Sequence, residues 1–185
     1  MVDAIELTPY EIGYLCGGAD RVAMAVLVGL HADGRIRVSA DRCRVHVVRR
    51  SSRDEVEKAA LEVVPDVGRV LGLTTLMVAA SASVQEVGRG LREKKLMPSS
   101  RLGALWQWGR AKRARDLRRQ WADAPAADGL ERVATEGAPG IADEELRRIF
   151  ETHKYEPPVS VKLTNPRLGA AYDPLHSTST PDRSA

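Results

Sequence analysis

The sequence predicts a mostly helical α+β protein with a winged-helix-like module at its N-terminus. Two helical patterns and a short alternating hairpin fill residues 1–50, and capped helical patterns follow to residue 155. Apolar spacing near 3.6 residues indicates helices, and period-two alternation indicates strands. We expect four segments: the winged-helix-like module (1–50), a second helical unit (51–99), a basic helix with a C-terminal helical extension (100–155) and an extended or disordered tail (156–185).

The first helix is predicted from a capping box at residues 8–11, of sequence TPYE. In this motif the first side chain caps the helix, the Glu reaches back to the cap, and Pro suits the first helical position. The glycine pair at residues 17–18 is expected to end the helix after about two turns. Asp20 is then expected to cap a second helix that runs to about His31.

A β-hairpin is predicted next, with apolar and polar residues alternating on both sides of a turn near residues 40–41. The apolar series is Ile36, Val38, Cys43, Val45 and Val47, and the basic or imidazole series is Arg35, Arg37, Arg44 and His46. Such alternation gives a hairpin one apolar face. We therefore expect Cys43 in the core and His46 on the surface.

Further helices are predicted in the second unit. A capping box at residues 52–55 opens a helix that Pro65 ends, and a weaker helix covers roughly residues 67–80. We interpret the apolar run at residues 70–82 as a buried helix. A third capping box, at residues 83–86, opens the next helix.

Composition limits the class of protein. The chain has 185 residues, 43% of them hydrophobic, and a net charge of +3, which is too small to imply nucleic-acid binding by itself. Two cysteines and no signal-peptide pattern suggest a reducing cytoplasm. No window reaches the eighteen or so apolar residues of a membrane span, so we expect none.

The residues form no catalytic pattern that we recognise. The sequence has no P-loop, no dinucleotide fingerprint and no convincing Ser/His/Asp or Cys/His set. A metal site at Cys43 and His46 would need more ligands, and residues three apart on a strand face opposite sides. We therefore expect no catalytic residues, no metal and no cofactor.

A basic helix beside tryptophans is the first candidate binding element. Residues 110–119 carry six basic side chains and one acid, and Trp106 and Trp108 precede them. We predict partner contacts by Trp106, Trp108, Arg110 and Arg113. This pattern also suits single-stranded nucleic acid, an anionic membrane or a solvated helix face.

Strand edges are the second candidate binding element. Arg37, Val38 and Val47 lie on the predicted hairpin, whose edge can accept an added strand. In the tail, Val161 and Leu163 alternate with polar residues and can themselves add to an exposed edge. A disordered end is the alternative for this tail.

One family resemblance adds to these patterns. The segment LTPYEIGYLCGG at residues 7–18, the aliphatic helix after it and GRIRV at residues 34–38 resemble the opening of an uncharacterised family from high-GC actinobacteria. Many members carry transmembrane helices and a Gly/Cys-rich end, and this chain shows neither. Members are often encoded beside multinuclear non-haem iron oxidative enzymes that modify ribosomally made peptides. The resemblance covers roughly residues 5–98 and carries no functional residues over.

The resemblance implies a non-catalytic adaptor that pairs with such an enzyme and helps present its peptide, as a hetero-oligomer. Small winged-helix modules in peptide-modifying systems bind a leader peptide, often as an added strand. The alternative is a winged-helix transcriptional regulator, which would use the basic residues of the helix at residues 83–95. A small enzyme is the third hypothesis.

Overall fold

The computed structural model describes residues 6–97, 115–117, 119 and 129–152. Within them the chain is mostly helical, with a small antiparallel sheet in the strand order β1-β2-β3, so the predicted α+β class is confirmed. The chain divides into two units, residues 1–155 and 156–185, and all the described residues belong to the first.

The elements follow one another in this order. The first half contains α1 (Pro9–Ala32), β1 (Ile36–Ser39), β2 (Arg44–Val47), α2 (Glu55–Glu62), β3 (Arg69–Val70), α3 (Leu71–Ala79) and α4 (Ala82–Glu93). Residues 115–117 and 119 are also helical. The last described elements are α5 (Leu130–Glu136), a 3-10 helix (Ala138–Gly140) and α6 (Glu144–Thr152).

Helix α1 begins as predicted and is interrupted where the glycine pair lies. Thr8 Oγ1 accepts a hydrogen bond from the Glu11 amide (3.2 Å), and Glu11 Oε2 accepts one from the Thr8 amide (3.0 Å). Gly18 has φ 72° and ψ −162°, which are not helical angles and favour glycine. The two predicted helices are therefore the two arms of one kinked helix.

The predicted hairpin is confirmed, but its turn is longer than expected. Ile36 pairs with Val47, and Val38 pairs with Val45. Cys43 lies in the turn with φ 47°, half-buried, and its Sγ is 3.4 Å from the Ala40 carbonyl oxygen. The expectation of Cys43 as a core strand residue was therefore wrong.

Three helix starts in the second unit differ from the prediction. Asp54 rather than Ser52 caps α2, with Oδ1 accepting from the Val56 and Glu57 amides at 2.9 and 2.8 Å. Ser81 rather than Ser83 caps α4. The expected helix at residues 67–80 begins only at residue 71, because residues 69–70 pair with β2 as strand β3.

The core is one cluster of buried side chains that extends from Val22 on α1 to Phe150 on α6. Helix α1 lies at its centre and packs most extensively against α5, and also against α4, α3 and α2. A smaller cluster of Leu15, Leu91 and Leu96 lies beside it. The hairpin and the later helices are therefore positioned by contact with one central helix.

Helix α1 is also long and apolar enough to cross a membrane by length and composition alone. Its most apolar 18-residue window has a mean hydropathy of 1.3, and 44% of that window is buried within the protein. Core helices and N-terminal signal sequences share these properties. The expectation of no membrane span stays a prediction.

Candidate protein interface

Four exposed apolar side chains, spaced three residues apart, form an apolar stripe along β3 and α3. They are Val67 (77% exposed), Val70 (50%), Leu73 (39%) and Leu76 (39%). Val48, at 54%, is the other exposed large apolar side chain among the described residues. Large apolar side chains left exposed close together in the chain are candidates for a site of protein interaction.

Helix α3 has little polar surface with which to face water. Its sequence is LGLTTLMVA, and Leu71 and Val78 already fill the core. Its two hydroxyls donate to backbone carbonyls one turn back, from Thr74 to Val70 (2.9 Å) and from Thr75 to Leu71 (3.0 Å). A helix that is apolar on all sides is normally buried on all sides, so its outer face is suited to a partner.

The prediction of a buried helix at residues 70–82 therefore holds for one side of α3 only. Residues 71 and 78 point into the core, whereas residues 73 and 76 point away from it. The signal that would have found the stripe is the spacing of three that begins at Val67, before the helix starts. Spacing alone does not say which side of an apolar helix is covered.

Basic side chains occupy the outer face of the adjoining sheet. In an antiparallel ladder, directly paired residues share a face. Arg37 pairs with His46, Ser39 with Arg44, and Arg44 with Val70, so these five residues lie on one side. We name the surface of Arg37, Arg44 and His46 the cationic sheet face, after its two arginines. Strands β1, β2 and β3 contain no Asp or Glu.

Arg44 connects the cationic sheet face to the apolar stripe, because it lies directly across from Val70. Its Nη2 donates to the Gly68 carbonyl oxygen at 3.2 Å. Its Nε is buried and has no hydrogen-bond partner among the described residues. Arg44 thus has no carboxylate partner within that part of the chain, and guanidinium groups bind carboxylates strongly.

The predicted contact residues have different positions. Arg37 is exposed on the cationic sheet face, whereas Val38 and Val47 are half-buried on the opposite face and pack against the core. The other predicted contacts lie outside the described residues: Trp106, Trp108, Arg110, Arg113, Val161 and Leu163. The stripe itself was not predicted.

The basic and polar residues of α4, considered for DNA binding, are largely engaged within the protein. Gln85 donates to a backbone carbonyl oxygen at 2.9 Å, Arg89 pairs with Glu86, and Lys94 Nζ lies 2.5 Å from Glu11 Oε1. Carboxylates beside these cations repel phosphates.

A buried ionic network joins the start of β1 to α2. Arg35 contacts both Glu57 and Asp33, and the hydrogen bond with Glu57 raises the pKa of Arg35 further above its ordinary value. The hydrogen bond from Arg35 lowers the pKa of Asp33. Burial raises the pKa of Tyr10, and the nearby charges of Asp54 and Glu57 raise it further. The hydrogen bonds from Arg35 to Glu57 and Asp33 therefore connect the start of β1 to α2.

Metal ligands do not come together in the described part of the chain. No group of three or more His, Cys, Asp or Glu side chains there is arranged to hold an ion. His46 lies against Gly68 in the sheet, and Cys43 lies in the turn.

Comparisons with known proteins found no match. No family model, no curated protein sequence and no solved structure matches this chain.

Proposed function

We propose that this chain is a non-catalytic partner protein that binds another protein through the apolar stripe. The observation that carries the proposal is the exposure of four large apolar side chains on and beside a helix that is apolar on all sides. Removing such surface from water is favourable by about 25 cal/mol per Å². A partner protein would bury the apolar side chains of the stripe, which the described residues of this chain leave exposed.

The partner we propose is a protein segment that combines apolar and acidic side chains. Its apolar residues would contact the stripe, and its carboxylates would face Arg44 and the rest of the cationic sheet face. Charges at the margin of an interface increase association rate and specificity more than affinity. Salt should therefore slow association without abolishing binding.

The first partner to test comes from the family resemblance, which covers roughly residues 5–98. It points to a multinuclear non-haem iron oxidative enzyme, its ribosomal peptide, or both, in a hetero-oligomer within the cytoplasm. In this proposal residues 1–50 form a winged-helix-like module, and the peptide adds along its strands. Arg37 and the predicted contacts outside the described residues extend the interface: Trp106, Trp108, Arg110, Arg113, Val161 and Leu163.

The test uses two variants that make the same chemical change at different places. Val67→Asp places a charge in the stripe, and Val48→Asp places one at the exposed valine outside the stripe. Each is co-expressed with the oxidative enzyme encoded beside this chain and with its peptide, and co-elution is measured by size-exclusion chromatography. We expect the wild-type chain and Val48→Asp to co-elute, and Val67→Asp to elute alone with an unchanged melting temperature.

Three results would contradict this proposal. One is a wild-type chain that elutes apart from both the enzyme and the peptide, and another is a Val67→Asp chain that co-elutes as well as Val48→Asp does. A wild-type dimer that Val67→Asp dissociates would make a second copy the occupant of the stripe. Retardation of duplex DNA that falls steeply with salt would instead support the regulator.

A further inference from the structure

A polar pocket of about 220 Å³ lies between the turn before β1 and the segment that joins β2 to α2. Every residue that lines it is charged or carries a hydroxyl group: Asp33, Arg35, Arg49, Ser51, Ser52 and Arg53. The volume is below the range of about 300–1,000 Å³ that is typical of sites for whole drug-sized molecules. The pocket therefore suits a small ion, or the charged end of a larger molecule.

The charged ends of three arginines meet at Asp33 in the wall of this pocket. Arg35 Nη2 and Arg53 Nη1 lie 2.5 and 3.2 Å from the same oxygen, Asp33 Oδ2. Arg49 Nη2 donates a hydrogen bond to the Asp33 carbonyl oxygen at 3.0 Å. Because Asp33 itself lines the pocket, these contacts bring the three guanidinium groups to the pocket together.

The accessible charges in this cluster are mainly positive. Its two carboxylates are the less exposed members, with 8% of the Glu57 side chain and 29% of the Asp33 side chain accessible, against 71% for Arg53. Arg49 is exposed as well, and Asp54 is engaged in capping α2. Three guanidinium groups against two carboxylates leave a surplus of positive charge, whose free donors belong to the exposed arginines.

The two serines add possible donors to the same wall. Ser51 and Ser52 are exposed, and a serine hydroxyl can rotate to donate a hydrogen bond. Arg50, which lies between the lining arginines in the sequence, is engaged elsewhere, with Nη2 2.6 Å from Asp66 Oδ1. The segment at residues 49–53 therefore provides two arginines and two serines to the pocket.

We propose that this pocket binds a phosphate group, held by Arg49 and Arg53 in front of the buried Arg35. Guanidinium groups bind phosphate through two parallel hydrogen bonds. A phosphate group carries close to two negative charges near pH 7 and has at least three acceptor oxygens, so it can engage several arginines at once. The source is either inorganic phosphate or the phosphoryl group of a larger molecule that extends out of the pocket. This site is separate from the apolar stripe and independent of the protein partner proposed above.

The test titrates three probes into the ¹⁵N-labelled chain near pH 7 at constant ionic strength: inorganic phosphate, phenyl phosphate and acetate. The amide signals of Ser51 and Ser52 report on the pocket, and Gly68, which contacts Arg44 in the sheet, reports on binding elsewhere. We expect both phosphates to shift the two serine signals and not Gly68, and acetate to bind several-fold more weakly. Tighter binding of phenyl phosphate assigns the site to a phosphoryl group on a larger molecule, and tighter binding of inorganic phosphate assigns it to the free ion.

Matched variants test whether the arginines of the pocket are responsible. Arg53→Gln and Arg49→Gln should each weaken phosphate binding about three- to tenfold. Arg42→Gln makes the same change at an arginine that is 78% exposed in the hairpin turn and outside the pocket, and it should leave binding unchanged. Arg53→Gln keeps the backbone N–H that donates to Glu57 at 2.5 Å, so the start of α2 should be preserved.

Three results would overturn the proposal. The first is the absence of any shift at Ser51 and Ser52 with either phosphate, and the second is a shift at Gly68 as large as theirs. The third is equal phosphate affinity in Arg49→Gln, Arg53→Gln and Arg42→Gln. Should one of the two pocket variants not fold, the comparison of the other with Arg42→Gln decides the result.

Discussion

Arg35 and Glu57 form a two-point ion pair inside the protein. Arg35 Nη1 lies 2.6 Å from Glu57 Oε2, and Nη2 lies 2.9 Å from Oε1. Only 5% of the Arg35 side chain and 8% of the Glu57 side chain are exposed. Because the two residues lie 22 positions apart, the pair fixes the start of the hairpin against α2.

Removing one member of this pair should destabilise the fold strongly. Glu57→Ala leaves a buried guanidinium without its main partner, and we expect the free energy of unfolding to fall by about 3–5 kcal/mol. The double variant Arg35→Met/Glu57→Leu removes both charges and should recover most of that loss. Urea unfolding of the three proteins measures both effects. A double variant no more stable than Glu57→Ala would contradict this account.

Asp33 should contribute to stability only above acidic pH. Hydrogen bonding to Arg35 lowers its pKa in the folded chain, so its stabilising effect is present above the unfolded pKa and lost as the pH falls through the folded one. Asp33→Asn should therefore melt at a lower temperature than the wild type near pH 7. The difference should shrink steadily below about pH 4. Thermal unfolding at several pH values measures it, and a constant difference down to pH 2 would be inconsistent with this cause.

Two glycines on α4 should respond oppositely to alanine. A Cβ at Gly88 would overlap the Tyr14 ring, whereas a Cβ at Gly90 meets no other atom within 4 Å. Gly88→Ala should cost about 1–3 kcal/mol through overpacking. Gly90→Ala should stabilise the helix by about 0.5–1 kcal/mol, because alanine loses less backbone entropy on folding.

Denaturant unfolding of Gly88→Ala and Gly90→Ala measures the change in the free energy of unfolding that each substitution causes. In a Tyr14→Leu background the Gly88→Ala penalty should largely disappear, since the clashing ring is gone. Equal effects of the two substitutions would show that Tyr14 is not held against α4.

The start of α4 can be tested with two serines. Ser81 Oγ accepts a hydrogen bond from the Val84 amide at 3.4 Å, while Ser83 lies inside the first turn. Ser81→Ala should lower the free energy of unfolding by about 0.5–1 kcal/mol, and Ser83→Ala should change it much less. A larger loss of stability from Ser83→Ala than from Ser81→Ala would instead support Ser83 as the helix cap, as the capping-box pattern predicts.

Local signals in the sequence identify much of this fold. The capping box at Thr8 and the alternation around residues 36–47 predict α1 and the hairpin, since these features depend on neighbours in the chain. Arg35 shows the limit of such signals. Alternation places it on a polar face, yet it is buried, because its partner Glu57 comes from a distant helix.

The candidate interface could be predicted only in small part. Arg37 was predicted as a contact and is exposed on the cationic sheet face. The stripe was missed, because an apolar sequence such as residues 70–79 looks the same whether one side or every side is covered. Strand β3 was missed as well, since two residues are too few to show alternation.

The central position of α1 has a consequence for how the chain is made. Arg21 on α1 hydrogen-bonds to the Thr135 carbonyl oxygen, 114 residues later, and α5 is the helix that α1 contacts most. A ribosome adding about 5–20 residues per second therefore needs about 5–20 s after finishing α1 before α5 exists. During translation the long, apolar α1 is therefore without its principal neighbour for several seconds, which makes it a natural client for chaperones.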